Sequence, residues 1–469
     1  MLSRHLFLSL RSRRIFSAIL LLVVISSCTP GRTSVEPPIP EPMPFTQTGA
    51  AVLADQWWEA FKDPLLDSLV ESGLSENLEL GADWSAFAAA LATVARERSF
   101  LFPQVEGVAA VQTGGPQQEF AQQQEIQAGL RASYEIDLWG RIRAGIQAEE
   151  FRSRATYYDY QTAAMLLSAE IANAWFELLT ARRQLDLARK QTRTNEDIMN
   201  LIRARFAGGQ IRAVDILRQE QLLKATRSQI ILFETEIAIL ENRLAVLLGR
   251  PSQNPFRLPS APLPSLPPLP DTGLPLDLVR RRPDVQRAYF EVLAADREMA
   301  QAIRSRYPTL ALDVVGEVSA GDFSSLFENW AYSLGAGLVA PLFYGGRLRA
   351  EVDRTEAVKN QLLYVYGQSV LTAFEEVENA LVRERQQLAL LELLQERIQV
   401  ATKTTEQLQT EFLNGMSAYL DVLLALDEQQ QLQRDLLEAK QELLEIRIGL
   451  YRALGGDLET GYEPNNNAS

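Results

Sequence analysis

The chain has 469 residues, 46% hydrophobic and 23% charged, a balance that suits a folded protein with room for several domains. Its formal net charge of −14 argues against a nucleic-acid partner and becomes more negative once Arg4, Arg11, Arg13 and Arg14 leave with a signal segment. The only cysteine is Cys28 and the only histidine is His5, so a chain cut before Cys28 has no histidine; His or Cys catalysis and the usual transition-metal sites are closed off.

Residues 1–27 read as a secretory signal: arginines, an apolar run from Ile15 to Ile25 too short to span a bilayer, then small residues. The end, Ile25-Ser26-Ser27-Cys28, resembles a lipobox, which makes Cys28 the expected lipid-attachment residue; the bland alternative is an ordinary signal with an incidental cysteine. Residues 28–62 form a Pro-rich N-terminal segment, with six prolines between Pro30 and Pro44 that read as an extended tether.

A first repeat is expected over 63–250. Asp63-Pro64 gives an N-cap with proline at the first helical position, and the helix is expected to run to about Ser99. Strands are expected at 101–112 and 126–138. In the second, Ile126, Ala128, Leu130, Ala132, Tyr134, Ile136 and Leu138 alternate against Gln127, Gly129, Arg131, Ser133, Glu135 and Asp137. A strand of that length, apolar on one side and polar on the other, fits a tilted transmembrane strand beside a wet lumen, although a soluble sheet with one wet face would read the same way. From 141 to 206 there is no proline and one interior glycine, Gly145, so a single helix about 100 Å long is expected. Its seam, Ala174, Leu178, Ala181, Leu185 and Ala188, alternates three and four as in a coiled coil. Gly208-Gly209 turns the chain into a return helix over 212–248.

A Pro-rich linker follows at 251–282, too rich in proline over Pro251 to Pro275 for regular structure. The second repeat, 283–455, restates the first. It has strands at 309–319 and 330–340, a long helix at 347–412, a turn at Asn414-Gly415, and a return helix at 417–454 with Ser417 as its expected N-cap. Arg141/Arg347, Phe206/Phe412, Gly209/Gly415, Asp215/Asp421 and Gly249/Gly455 hold a constant spacing, the mark of a duplicated unit. The tail, 456–469, is polar and expected to be disordered. Four strands cannot close a barrel, so a membrane reading requires a barrel shared between subunits. Carboxylate pairs such as Glu149/Glu150 and Glu375/Glu376 lie on the long helices and read as solvated faces, leaving no catalytic and no metal-binding residues to assign.

Trp57-Trp58 with Phe61, Asp63-Pro64-Leu65 and Asn77-Leu78; YEIDLWGR from Tyr134 to Arg141; Arg282-Pro283-Asp284 with Pro308; and PLFYGGR from Pro341 to Arg347 together resemble the TolC-like outer-membrane factor family. Within it, the chain resembles the lipoprotein (NodT/OprM-type) branch of resistance-nodulation-division (RND) efflux systems, in order and in both repeats. The resemblance implies a mainly α fold with a transmembrane β-barrel. A homotrimer would form an α-helical conduit plus a shared twelve-stranded barrel, set in the outer membrane of a Gram-negative bacterium. It implies as partners a periplasmic membrane-fusion adaptor, an inner-membrane RND pump and outer-membrane lipid, and as cofactors none beyond the covalent lipid on Cys28.

By motif, GMSAYLDVL puts Asp421 at the aperture, with Leu424 where many members carry a second aspartate. Asp215 stands either in the pore or on a solvated helix face. Gly208, Gly209, Asn414, Gly415 and Ser417 are the hairpin tips where an adaptor is expected. Phe412 and Ser417 replace the Tyr and Arg that lock some members closed. The expected function is a passive export duct for small molecules. Metal-ion efflux and type I protein secretion share the architecture, and a secreted coiled-coil scaffold is the reading from a different class.

Overall fold

The structure, a computed structural model, describes residues 38–39, 43–52, 54, 56–114, 123–252, 261–273, 275–456 and 458. Cys28 and the signal segment lie outside the described residues, as does the tail apart from residues 456 and 458.

Two helices dominate. α1 (Pro64–Glu76) and α2 (Leu78–Ser99) lead into β1 (Gln104–Gly114) and β2 (Gln123–Ile136), and α3 (Arg141–Ala207) then runs unbroken for 67 residues, about 100 Å. α4 (Ala213–Leu247) returns along it. After the linker, α5 (Pro275–Arg281), α6 (Pro283–Arg304), β3 (Thr309–Ala320), β4 (Trp330–Val339), α7 (Arg347–Leu413, 67 residues) and α8 (Tyr419–Leu454) repeat the plan. The seam expected on α3, Ala174, Leu178, Ala181, Leu185 and Ala188, is buried; of the matching seven-residue seam that the sequence places on α7, Ala373, Val377, Ala380, Leu391 and Leu394 are buried, while Ile398 and Ala401 are only half-buried.

Three expectations are corrected. The helix expected from Pro64 to Ser99 is two helices. Asn77 adopts extended backbone, its side-chain oxygen accepts from the Leu80 N–H at 2.9 Å, and its amide donates to the Leu247 carbonyl at 2.9 Å, so a tertiary contact ends one helix and caps the next. The linker's last residues form α5, because Pro275 sits where its missing N–H is no loss. In the tail expected to be disordered, Leu458 is buried in the main core and its N–H donates to Gln161.

The strands form one antiparallel sheet in the order β1-β2-β3-β4, and its register sorts the side chains into two faces. Val105, Ala132, Val314 and Leu334 share one row of the apolar face, and Val111, Ile126 and Ala320 another. The other face carries Gln104, Ser133 and Asp313 in one row and Glu106 opposite Arg131 in the next. Among the described residues of the single chain β1 and β4 have no outer neighbour, and every residue of β4 is exposed. The main core lies midway along the helices, where Trp57, Trp58 and Phe61 of a short 3-10 turn pack with Trp175, Phe176 and Tyr451. There the buried Arg447 guanidinium grips Glu384 and the linker carbonyls of Pro267 and Pro268.

Candidate functional site

Far from the sheet, the two helical hairpins end side by side. Gly209 (φ 69°) and Gly415 (φ 74°) take the left-handed conformation that closes each tip; Gly208 and Asn414 cap α3 and α7, and all four are exposed. Each return helix begins the same way: Asp215 and Asp421 occupy the third helical position, and each carboxylate accepts a backbone N–H, from Arg212 and Ala418 respectively, at 3.3 Å. Ser417 is not the N-cap of α8. Ala418 holds that position, the Asp421 carboxylate serves the capping role, and the Ser417 hydroxyl donates to the Leu408 carbonyl at 3.3 Å.

The two aspartates then part company. Asp215 is buried, only 4% exposed, and its carboxylate lies 3.3 Å from Arg212 and 3.6 Å from Arg218, so its charge is spent inside its own hairpin rather than on a pore or a solvated face. Asp421 is exposed and has no cation within ion-pair distance among the described residues; Leu424, one turn on, is 57% exposed. At this tip an unpaired carboxylate thus stands beside a bare apolar side chain.

A second set of residues ties the hairpins together, and of these the sequence singles out only Phe412. Arg205 on α3 lays its guanidinium 4.9 Å from the Phe412 ring centroid and donates to the carbonyls of Phe412 (3.2 Å) and Leu413 (3.0 Å). Phe412 packs at 5.4 Å on Tyr419, whose hydroxyl donates to Gln219 on α4 at 2.5 Å. Burial, reinforced by the negative charge of Asp215, raises the Tyr419 hydroxyl well above the ordinary phenol value, so it remains a donor. Met199, Ile202 and Val422 complete this small core.

A ladder of buried amides climbs from there. Gln219 donates to the Asn195 carbonyl (2.8 Å), Asn195 and Gln430 exchange amide hydrogen bonds at 3.2 Å, and Gln191 donates to the Gln430 carbonyl (3.0 Å). Gln191 and Asn195 lie three and seven residues beyond Ala188 on the same side of α3 as its seam, so amides at core positions were the signal available. Among the described residues no cluster of His, Cys, Asp or Glu could hold a metal ion.

Against known proteins, the family model described as outer membrane efflux protein matches residues 69–250 and 274–456, one match per repeat. The pyoverdine export outer membrane protein OpmQ of Pseudomonas aeruginosa is 30% identical over 96% of this chain and 97% of its own. Nodulation protein T of Rhizobium leguminosarum is 26% identical over 94% of this chain and 96% of its own. A crystal structure of CusC superposes with a TM-score of 0.84 at 25% identity, over 92% of this chain and 99% of that one.

Proposed function

The chain belongs to the outer membrane efflux protein family, it is an outer-membrane export duct and no enzyme, and on that premise we propose how it is assembled and what it serves. Three copies associate so that their four-stranded sheets close one barrel in the outer membrane while their long hairpins line a conduit through the periplasm. The observation that supports this reading is the sheet itself: an apolar face and two unpaired edges, joined to helices about 100 Å long. An open edge is not tolerated in lipid, and three copies related by rotation remove every edge without adding a strand.

In this reading Cys28 carries the lipid anchor, the tips at Gly209 and Gly415 meet a periplasmic adaptor, and an inner-membrane RND pump supplies the energy. Asp421 and Leu424 form the aperture as threefold rings, with the Arg205, Phe412 and Tyr419 contacts holding the hairpin tips together. The cargo is a small molecule, chosen upstream by the pump. The test is the mass of the detergent-purified complex together with that of its N-terminal peptide. A trimer beginning at acylated Cys28 is expected; a water-soluble monomer with unmodified Cys28 overturns the reading.

A further inference from the structure

The two unpaired edges of the sheet end in complementary surfaces. β1 runs from the helical end of the sheet at Gln104 to the loop end at Gly114, and β4 runs back from Trp330 to Val339. Laid beside β1 of a second copy, β4 continues the antiparallel alternation, and its last residues run toward the helical end of the sheet, where β1 begins at Gln104.

Directly after β4 comes Pro341-Leu342-Phe343-Tyr344. Leu342 is 94% and Phe343 88% exposed, and Phe343 is the most exposed aromatic side chain among the described residues. The turn that follows is held in shape, while Leu342 and Phe343 stay uncovered among the described residues. Gly345 (φ 58°) and Gly346 (φ 85°) turn the chain, the Arg347 N–H donates to the Tyr344 carbonyl at 3.1 Å, and the Arg347 guanidinium sits 4.9 Å from the Tyr344 ring centroid. An uncovered phenyl ring next to a fixed turn is a poor surface for water and a good knob.

At the helical end of the sheet, where β1 begins, is a half-open pocket of about 440 Å³ lined by Phe100, Phe102, Tyr134 and Ile142 together with polar Gln104 and the Glu135–Arg141 pair. Gln104 and Glu135 belong to the polar face of the sheet.

We propose that Phe343 of one copy seats in the pocket bounded by Phe100 and Phe102 of the next, an aromatic lock repeated at each of the three seams where barrel meets helices. The contact is heterologous, knob on one edge and hole on the other, so it closes only under rotation. It rests on the homotrimer reading and adds to it a partner residue and the site that receives it.

The test uses the full chain in detergent. One copy carries Phe343→Cys, a second with a longer tag carries Phe102→Cys, and the two are co-expressed and treated with a short bis-maleimide. A covalent dimer of the two chain sizes is expected in the mixture. It should be absent from either single variant alone, and absent when Phe327→Cys, at the loop end of the sheet, replaces Phe343→Cys. Phe343→Asp is expected to dissociate the trimer at temperatures where Phe343→Leu keeps it. A trimer of native mass that gives no such dimer overturns the contact and leaves the assembly standing. A wild-type chain that is no trimer overturns both.

Discussion

Arg205 reaches from the end of one hairpin to the end of the other, stacking on Phe412 at 4.9 Å while donating to two backbone carbonyls at the close of α7. Those carbonyls belong to the last turn of a helix, where unsatisfied acceptors and the helix dipole favour a cation. Arg205→Ala removes the stacking and both hydrogen bonds, worth together about 1–2 kcal/mol at a part-exposed site. The tip should open about tenfold more often, read as the open probability, and so the mean conductance, of the purified protein in planar bilayers. Arg205→Lys keeps the charge but not the planar fork and should fall between. Unchanged conductance in Arg205→Ala would remove Arg205 from the closure.

The long helices were legible because 66 residues without proline leave few alternatives, and their ends moved by only one residue when seen in three dimensions. The strands were legible as alternation, although β1 and β2 lie two or three residues away from their expected bounds, since period two marks a face and not an end. What stayed hidden depended on contacts far apart in sequence. Asn77 breaks a helix because its side chain finds Leu247, and Asp215 reads like its twin Asp421 until Arg212 and Arg218 fold over it. Arg205 looks like any arginine on a solvated helix until Phe412 is beside it.

Asp421 and Asp215 make a matched pair of tests. Asp421→Asn keeps an acceptor for the Ala418 N–H while removing an exposed charge, so cation selectivity of the channel should fall with little change in melting temperature. Asp421→Ala loses the cap as well, about 1 kcal/mol, and should also increase the leak of large antibiotics. Asp215→Asn, in contrast, leaves selectivity alone and loosens the tip, because its charge is buried between two arginines. Reversal potentials under a salt gradient distinguish the two: equal shifts for Asp421→Asn and Asp215→Asn would refute the assignment.

At the middle of the molecule the Arg447 guanidinium is almost fully buried against Glu384, with bonds of 2.8 and 2.6 Å, and also holds the Pro268 carbonyl at 3.0 Å. Arg447→Met strands Glu384 and two linker carbonyls, so it should cost about 3–5 kcal/mol and expose residues 261–273 to protease. Pairing it with Glu384→Leu removes the stranded charge and should recover part of the loss, as measured by thermal unfolding. A single variant as stable as the wild type would show that the linker is held by its prolines alone.

Glu177 on α3 gives the pH dependence a sign. Burial lifts its carboxyl above the ordinary glutamate value of 4.5, only partly opposed by Arg243 at 3.3 Å, and Glu445 and Glu236 push the same way. The folded state therefore holds this proton more tightly than the unfolded chain does. The stability it contributes is fully present below the unfolded value and lost as pH rises through the folded one. Glu177→Gln should thus melt at a higher temperature than the wild type at neutral pH, and the gap should close as pH falls toward the ordinary carboxylate range. Melting curves of both proteins across that range measure it. A gap that widens on acidification would mean that Arg243 outweighs burial and holds the carboxylate ionised.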